Sequence, residues 1–148
     1  MDRKKWNKRS GVATLESAII LTTSLVLVLG ILDLGMATYR YNLLADAARR
    51  LAREAIVRGA EASPEVQPWG PTEIVGTAAD NTPPANLIRP LLVGFDLSKV
   101  TVNVVWLEGD NTSESRVRVQ LEYSHKPLTL LNLGAVNLRA TSTMRIVH

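Results

Sequence analysis

A single carboxylate, that of Glu16, lies within the apolar stretch of residues 12–32 and is its one charged group. A charged side chain at the centre of a bilayer helix costs roughly 2.5–3.5 kcal/mol on insertion scales. A carboxylate kept in such a segment therefore indicates a function, and its usual use is to pair with an opposite charge. The sequence thus raises one question of chemistry, which is where the cationic partner of Glu16 comes from.

Residue types that carry catalysis or bind metals are sparse in this chain. It has no cysteine, which excludes disulfide bonds, thiolate zinc sites and cysteine nucleophiles. Its two histidines, His125 and His148, lie apart, and His125 is expected to be an exposed residue at a strand end. No glycine-rich phosphate loop, nucleophile elbow or paired metal-ligand spacing is present. The sequence therefore predicts a protein that is not an enzyme, with no catalytic, cofactor-binding or metal-binding residues.

The positive charge of the chain is concentrated at its N-terminus. Five of the 17 basic residues fall within the first nine positions: Arg3, Lys4, Lys5, Lys8 and Arg9. Beyond Gly11 the chain has 12 basic and 13 acidic residues, so the formal net charge of +3 reflects this cluster alone. The remaining chain has no basic excess with which to bind a phosphate backbone. Nucleic acid is therefore excluded as an expected partner.

The cationic cluster and the apolar stretch together are typical of a membrane segment. Residues 12–32 would form a helix about 31 Å long, close to the roughly 30 Å hydrocarbon core of a bilayer. Because the cations precede this stretch, the positive-inside rule places the N-terminus in the cytoplasm and the rest of the chain outside it. A cleaved secretory signal peptide has the same polarity, but its apolar region is usually shorter. We therefore expect a retained transmembrane helix.

Residues 33–60 are predicted to continue this helix as a stalk that projects from the membrane. They contain no proline, and apolar residues recur at three- and four-residue spacing, which is the pattern of an amphipathic helix. This apolar stripe consists of Leu44, Ala47, Ala48, Leu51, Ala52 and Ala55. Gly59 is expected to end the helix.

A proline-rich connection, residues 61–99, follows the stalk. It holds six of the seven prolines, and Trp69 within it is expected to pack against the rest of the domain. One short helix is predicted after Pro71 and a second over residues 83–93, bent or ended near Pro90.

The last third of the chain, residues 100–148, is predicted to be a β head. Runs of apolar and β-branched residues, alternating with polar ones in the later segments, predict three strands, at residues 100–107, 116–124 and 136–147. One face of such a sheet is apolar and must be covered, and the stripe of the stalk is the available cover. The predicted fold is therefore α+β, with a long N-terminal helix packed on a small three-stranded antiparallel sheet.

Three segments of the sequence resemble known protein families. The residues "KRSGVATLE" resemble the leader and cleavage site of type IV pilin-like proteins, with Gly11 last in a basic leader of residues 1–11 and Val12 as the new N-terminus. The stretch "ILDLGMATYRYNLLADAARRLAREA" and the closing "ATSTMRI" resemble the TadE-like minor pilins, or pseudopilins, of tight-adherence (Flp) pilus systems. Ser17 departs from the tyrosine usual in major Flp pilins, and the chain is much longer than those. Both departures favour a minor component.

The resemblance implies an answer for Glu16, which becomes the fifth residue of the mature chain. Cleavage after Gly11 would give Val12 a free α-amine with an ordinary pKa of about 7.7–8. In a helical assembly, Glu16 of one subunit could accept this amine from a neighbour. The implied partners are a prepilin peptidase, other pilins or pseudopilins, the inner-membrane assembly platform and membrane lipid. The implied location is the bacterial inner membrane, with the head in the periplasm.

A different class of function fits the same layout. An uncleaved signal anchor could tether a periplasmic binding module, with Glu16 lying near the lipid headgroups. Sequencing of the mature N-terminus separates the two interpretations.

Overall fold

A single helix, α1 (Lys8–Ile56), runs through the N-terminal part of the protein. The computed structural model describes residues 8–127 and 134–147. With 49 residues, α1 is about 74 Å long at 1.5 Å per residue. No proline interrupts it, and the hydroxyls of Thr22 and Thr38 donate to carbonyls four residues earlier, so these polar groups are satisfied within the helix. The helix ends at Ile56, before the predicted stop at Gly59.

The C-terminal part of α1 is buried along one stripe. All six predicted stripe residues, Leu44, Ala47, Ala48, Leu51, Ala52 and Ala55, are at most 1% exposed. Four of them are alanines, so the helix axis can approach the sheet closely while the two leucines fill the space between layers. The prediction of a stripe that covers the sheet is confirmed.

Within the described residues, the sheet has four antiparallel strands in the order β1-β2-β3-β4, so the prediction of three strands is wrong. The strands are β1 (Ile74–Thr77), β2 (Val100–Trp106), β3 (Arg116–His125) and β4 (Val136–Arg145).

The additional strand, β1, replaces the short helix predicted after Pro71. Its residue Ile74 pairs with Val104, and Thr77 pairs with Thr101 of β2. Isoleucine, valine and threonine in this segment have branched side chains that suit a strand better than a helix. The carboxylate of Asp80 accepts from the Thr77 amide at 2.6 Å and closes the turn that follows.

The second predicted short helix is present. It is α2 (Pro83–Ile88), and a 3₁₀ turn at Arg89–Leu91 follows it. The hydroxyl of Thr82 caps α2 by accepting from the Ala85 amide at 3.4 Å. Ile88 is fully buried and joins the core.

The core lies between the stripe of α1 and the inward faces of the strands. The strands contribute alternate residues, among them Val102, Val104, Val117, Val119, Leu121 and Ala140. Trp69 is 6% exposed and packs into this core as predicted, with the guanidinium of Arg58 4.9 Å from its ring. Gly70, at φ +83°, lies so close to the Trp106 ring that an added Cβ would collide with it.

The direction of the strands decides which end of the head faces the apolar half of α1. Near the C-terminal end of α1, the amide of Val147 donates to the carbonyl of Ile56 at 3.2 Å. At the other end, His125 is hydrogen-bonded to Arg40. β3 therefore runs antiparallel to α1, so that its last residues, together with the first residues of β2 and β4, lie at the end of the head nearest the apolar half of the helix.

Replacement of Leu51 tests the shared core. Leu51→Asp should unfold the head, because it places an unpaired carboxylate at a fully buried position. The measurement is the thermal midpoint of the full chain in non-ionic detergent, followed by tryptophan fluorescence. Val57→Asp is the matched control, since Val57 is 42% exposed and should tolerate the charge. Equal melting of the two variants would contradict the packing described here.

Candidate functional site

The residues predicted to be functional lie together at the start of α1. Gly11, Val12 and Glu16 are all exposed within its first turns. Glu16 follows Val12 by four residues, which places it about 6 Å along the axis and on the same face. Among residues 11–127 and 134–147, whose side chains the structure describes, no ion pair involves Glu16. The described part of the fold therefore supplies the carboxylate with no cationic partner. Residues 1–7 of the predicted leader lie outside the described residues.

An exposed apolar surface surrounds Glu16. Side chains along this part of α1 remain largely uncovered by the head, including Val12, Leu15, Ile19, Ile20, Leu27 and Ile31, each at least 59% exposed. Within the described residues, α1 is the one helix whose length and composition suit a membrane crossing. Its most apolar window has a mean hydropathy of 2.2 and is 6% buried. The surface is thus compatible with a membrane anchor and remains available for lipid or for other helices.

A second arrangement of polar side chains lies where the helix meets the head. Nη1 of Arg40 is 2.7 Å from Nδ1 of His125, at the last residue of β3. The expectation that His125 is exposed is wrong, because the side chain is 2% exposed. Sequence reasoning also missed Arg40, which lies 85 positions before His125 in the chain. Only a non-local contact reveals the pair.

Aromatic rings hold the Arg40 side chain in place. Its guanidinium carbon lies 5.5 Å from the ring centre of Tyr123 and 6.0 Å from that of Phe95. The two rings meet edge to face, with centres 4.8 Å apart. A cation over ring faces is attracted by their quadrupole. This junction between α1 and the head, formed by Arg40, Phe95, Tyr123 and His125, therefore combines a cation, two aromatic rings and a buried imidazole.

The hydrogen bond from Arg40 decides the tautomer of His125. A guanidinium can only donate, so Nδ1 must be an acceptor and the neutral ring carries its proton on Nε2. Burial lowers the pKa of His125, the positive charge of Arg40 lowers it further, and Asp33 opposes the shift. Protonation of Nδ1 would remove the bond and bring two cations into contact. His125 is thus held neutral at ordinary pH.

The described residues hold no group of three or more His, Cys, Asp or Glu side chains that could bind a metal. The last residue, His148, lies outside the described part of the chain.

Comparison with known proteins finds one family that is similar to the N-terminal helix. Residues 11–53 match the family model of TadE-like proteins. This N-terminal segment is similar to TadE-like proteins. The match begins at Gly11, includes Glu16 and Arg40, and ends within the buried stripe. No curated protein and no solved structure matches the chain.

The TadE-like segment joins both arrangements described above, the apolar surface around Glu16 and the Arg40 junction. TadE-like proteins are associated with the Tad pilus system. The sheet lies beyond the matched residues.

The buried imidazole predicts a pH dependence of stability. Above about pH 6.5 both the folded and the unfolded states hold His125 neutral. Below this pH, His125 takes up a proton in the unfolded state but remains neutral in the folded state, where its pKa is lower. The free energy of unfolding should therefore fall as pH decreases from 6.5 toward the lowered pKa, by at most about 1.4 kcal/mol per pH unit.

Chemical denaturation of the full chain in non-ionic detergent between about pH 5 and 7.5 measures this slope. His125→Gln should flatten it, and His148→Gln, the control at the other histidine, should leave it unchanged. An identical slope in wild type and His125→Gln would contradict the assignment. Carboxyl groups whose pKa values hydrogen bonds hold below 3.8–4.5 titrate outside this window: Asp96, Glu108 and Asp110.

Proposed function

We propose that the protein is a minor pilin, or pseudopilin, that takes part in assembling a Tad (Flp) type pilus or a related secretion apparatus. The match of residues 11–53 to TadE-like proteins carries this proposal. The exposed apolar surface of α1 supports it, because a helix that its own head leaves uncovered can pack first in lipid and then against other subunits. The proposed function requires no catalysis.

The first step is removal of the leader, residues 1–11, by a prepilin peptidase that cuts between Gly11 and Val12. Both residues lie in the first turns of α1, so this part of the helix must open to expose the peptide bond. Glycine favours the opening, since it is about 1 kcal/mol less stable than alanine in a helix. Nothing lies within 4 Å of a Cβ built on Gly11, so the peptidase can approach it from the side.

The second step is assembly through Glu16. Cleavage makes Val12 the first residue of the helix, and its amine, with an ordinary pKa of about 7.7–8, is mostly protonated at neutral pH. Glu16 of one subunit then pairs with the Val12 amine of a neighbour. Each charge alone raises the free energy of the helix in lipid, and pairing lowers it again. Pairing therefore favours the one axial register of adjacent helices in which the two charges meet.

The proposed location is the bacterial inner membrane. Basic residues before α1 favour a cytoplasmic N-terminus and a periplasmic head. The partners are then the peptidase and the assembly platform in the membrane, and other pilins or pseudopilins through α1. An uncleaved anchor that tethers a periplasmic binding module is the competing function, and the state of the N-terminus separates the two.

Processing can be measured directly on the native protein. Intact-mass analysis after membrane extraction should show loss of residues 1–11 in cells that contain the peptidase. Gly11→Arg should block the cut, because the new side chain replaces the hydrogen atom at the scissile position. Gly35→Arg makes the same change where an added Cβ also meets nothing within 4 Å, and it should be processed normally. Retention of residues 1–11 in wild type would favour the tether.

The role of Glu16 is tested by removing its charge. Glu16→Leu should preserve or improve membrane insertion, since an expensive group is gone, and should abolish incorporation into oligomers or pili. Site-specific crosslinking from positions beside residue 16, at equal membrane abundance, measures the contact between helices. Glu65→Leu, at an exposed position beyond α1, is the control and should assemble normally. Equal crosslinking and normal pili with Glu16→Leu would exclude an assembly role.

A further inference from the structure

A cationic cavity lies at the end of the head that faces the apolar half of α1. It has a volume of about 410 Å³ and is lined by Arg40, Lys99, Tyr123, Ser124 and Lys126. These residues come from α1, from the turn just before β2, and from the end of β3 and the residue after it, which the strand directions bring to the same end of the head. The cavity therefore has three cations and two hydroxyl groups on its walls.

The positive charge of this cavity is only partly neutralised within the protein. Among residues 8–127 and 134–147, no carboxylate lies within 4 Å of the charged nitrogens of Arg40 or Lys126. Lys99 pairs with Asp96 at 2.5 Å, but both side chains are about half exposed. His125, beside Arg40, is held neutral and adds no charge. The carboxylate of Asp33 acts on His125, the neighbour of Arg40, so it also lowers the net charge near the cavity. An anion entering the cavity would still meet two cations with no carboxylate within 4 Å in the described fold.

The position of the cavity along α1 corresponds to the membrane surface. Arg40 follows the end of the apolar stretch, Leu32, by eight residues, or about 12 Å along the helix. The headgroup layer adds about 5–8 Å to each side of the hydrocarbon core. The long side chains of arginine and lysine reach across the remaining distance.

Two exposed tyrosines mark the same level. Tyr39 and Tyr41 flank Arg40 on α1 and are 55% and 46% exposed. Tyrosine is enriched at membrane interfaces, where its ring contacts the apolar boundary and its hydroxyl contacts water. The tyrosines and the cavity therefore indicate one interfacial plane at the base of the head.

We propose that this cavity binds the phosphate of an anionic phospholipid headgroup in the outer leaflet of the membrane that α1 crosses. The inference rests on the membrane anchoring in the proposed function, and it does not depend on cleavage of the leader or on Glu16. Lipid is the favoured source of the phosphate because α1 holds the cavity at headgroup level, where the local concentration of lipid phosphate is high. Binding there would dock the head on the membrane and set its orientation before assembly.

The experiment uses the full chain in non-ionic detergent, with the thermal midpoint of the head as readout. A ligand that binds only the folded state raises the midpoint in proportion to its occupancy. Three probes are titrated separately: short-chain phosphatidylglycerol, short-chain phosphatidylcholine and inorganic phosphate. The anionic lipid should raise the midpoint at the lowest concentration, the zwitterionic lipid should have a smaller effect, and phosphate alone the smallest.

Paired variants with equal charge change locate the binding. Lys99→Gln with Lys126→Gln should weaken the effect of phosphatidylglycerol by about fivefold per lysine. Arg49→Gln with Arg118→Gln removes two exposed cations away from the cavity and should change it less than twofold. If the double lysine variant does not fold, Lys126→Gln alone, at an exposed residue, should still show the fivefold loss.

Three results would overturn the proposal: equal effects of the two lipids, an effect of phosphate that matches that of the anionic lipid, or equal losses in the lysine and arginine variants.

Failure of the proposed function is visible separately. A chain that keeps residues 1–11 but still prefers phosphatidylglycerol contradicts only the pilin proposal. A chain that is processed and assembled but shows no lipid preference contradicts only this one. A chain that is not retained in membranes contradicts both.

Discussion

The continuity of α1 is the constraint on which the rest of the structure depends. The two halves of this helix have different surfaces. The first half exposes apolar side chains on all sides, whereas the second half is apolar along one stripe, which the sheet covers. Backbone hydrogen bonds within a helix are complete in either surrounding. The same backbone can therefore continue from an uncovered apolar segment into a protein core without a break.

The sheet covers the stripe of α1 and contacts the helix at the point where it enters the head. Alternate residues of β2, β3 and β4 face the stripe, and its alanines allow close approach. At the end of the contact nearest the apolar half of α1, Arg40 of α1 is hydrogen-bonded to His125, the last residue of β3. That bond holds only while the imidazole stays neutral, so packing at the junction and the pKa of His125 are linked.

Charge is distributed along the molecule in a way that fits a protein held at a membrane surface. Basic residues precede the apolar stretch, and a second group of cations, Arg40, Lys99 and Lys126, lies at the base of the head. Several carboxylates lie at the far end, where the carboxylate of Glu108 pairs with Arg116 and that of Asp110 accepts from Ser115. The apolar half of α1 thus lies between two cationic groups, and Glu16 is the exception within it.

Periodic patterns determined much of this protein from sequence alone. The apolar stretch follows from a long continuous run of apolar residues. Repeated spacing of apolar residues predicts the stripe from Leu44 to Ala55 and the three longer strands. The structure has each of these features. The resemblance to TadE-like proteins came from local motifs, most of them within residues 11–53, which the family match covers, and one of them, the closing "ATSTMRI", outside it. Such signals are local, so they can be read without knowing the fold.

Tertiary structure was needed to decide β1, and it alone decided the environment of His125. β1 has only four residues, too few for a period to be recognised, and it is a strand because the edge of β2 offers it hydrogen bonds. His125 is buried because β3 returns along α1 and brings it to Arg40, 85 positions away. A histidine next to a lysine and a proline is typical of an exposed turn when only its neighbours in sequence are considered. Burial and pKa depend on neighbours in space, and those are set by how the chain packs.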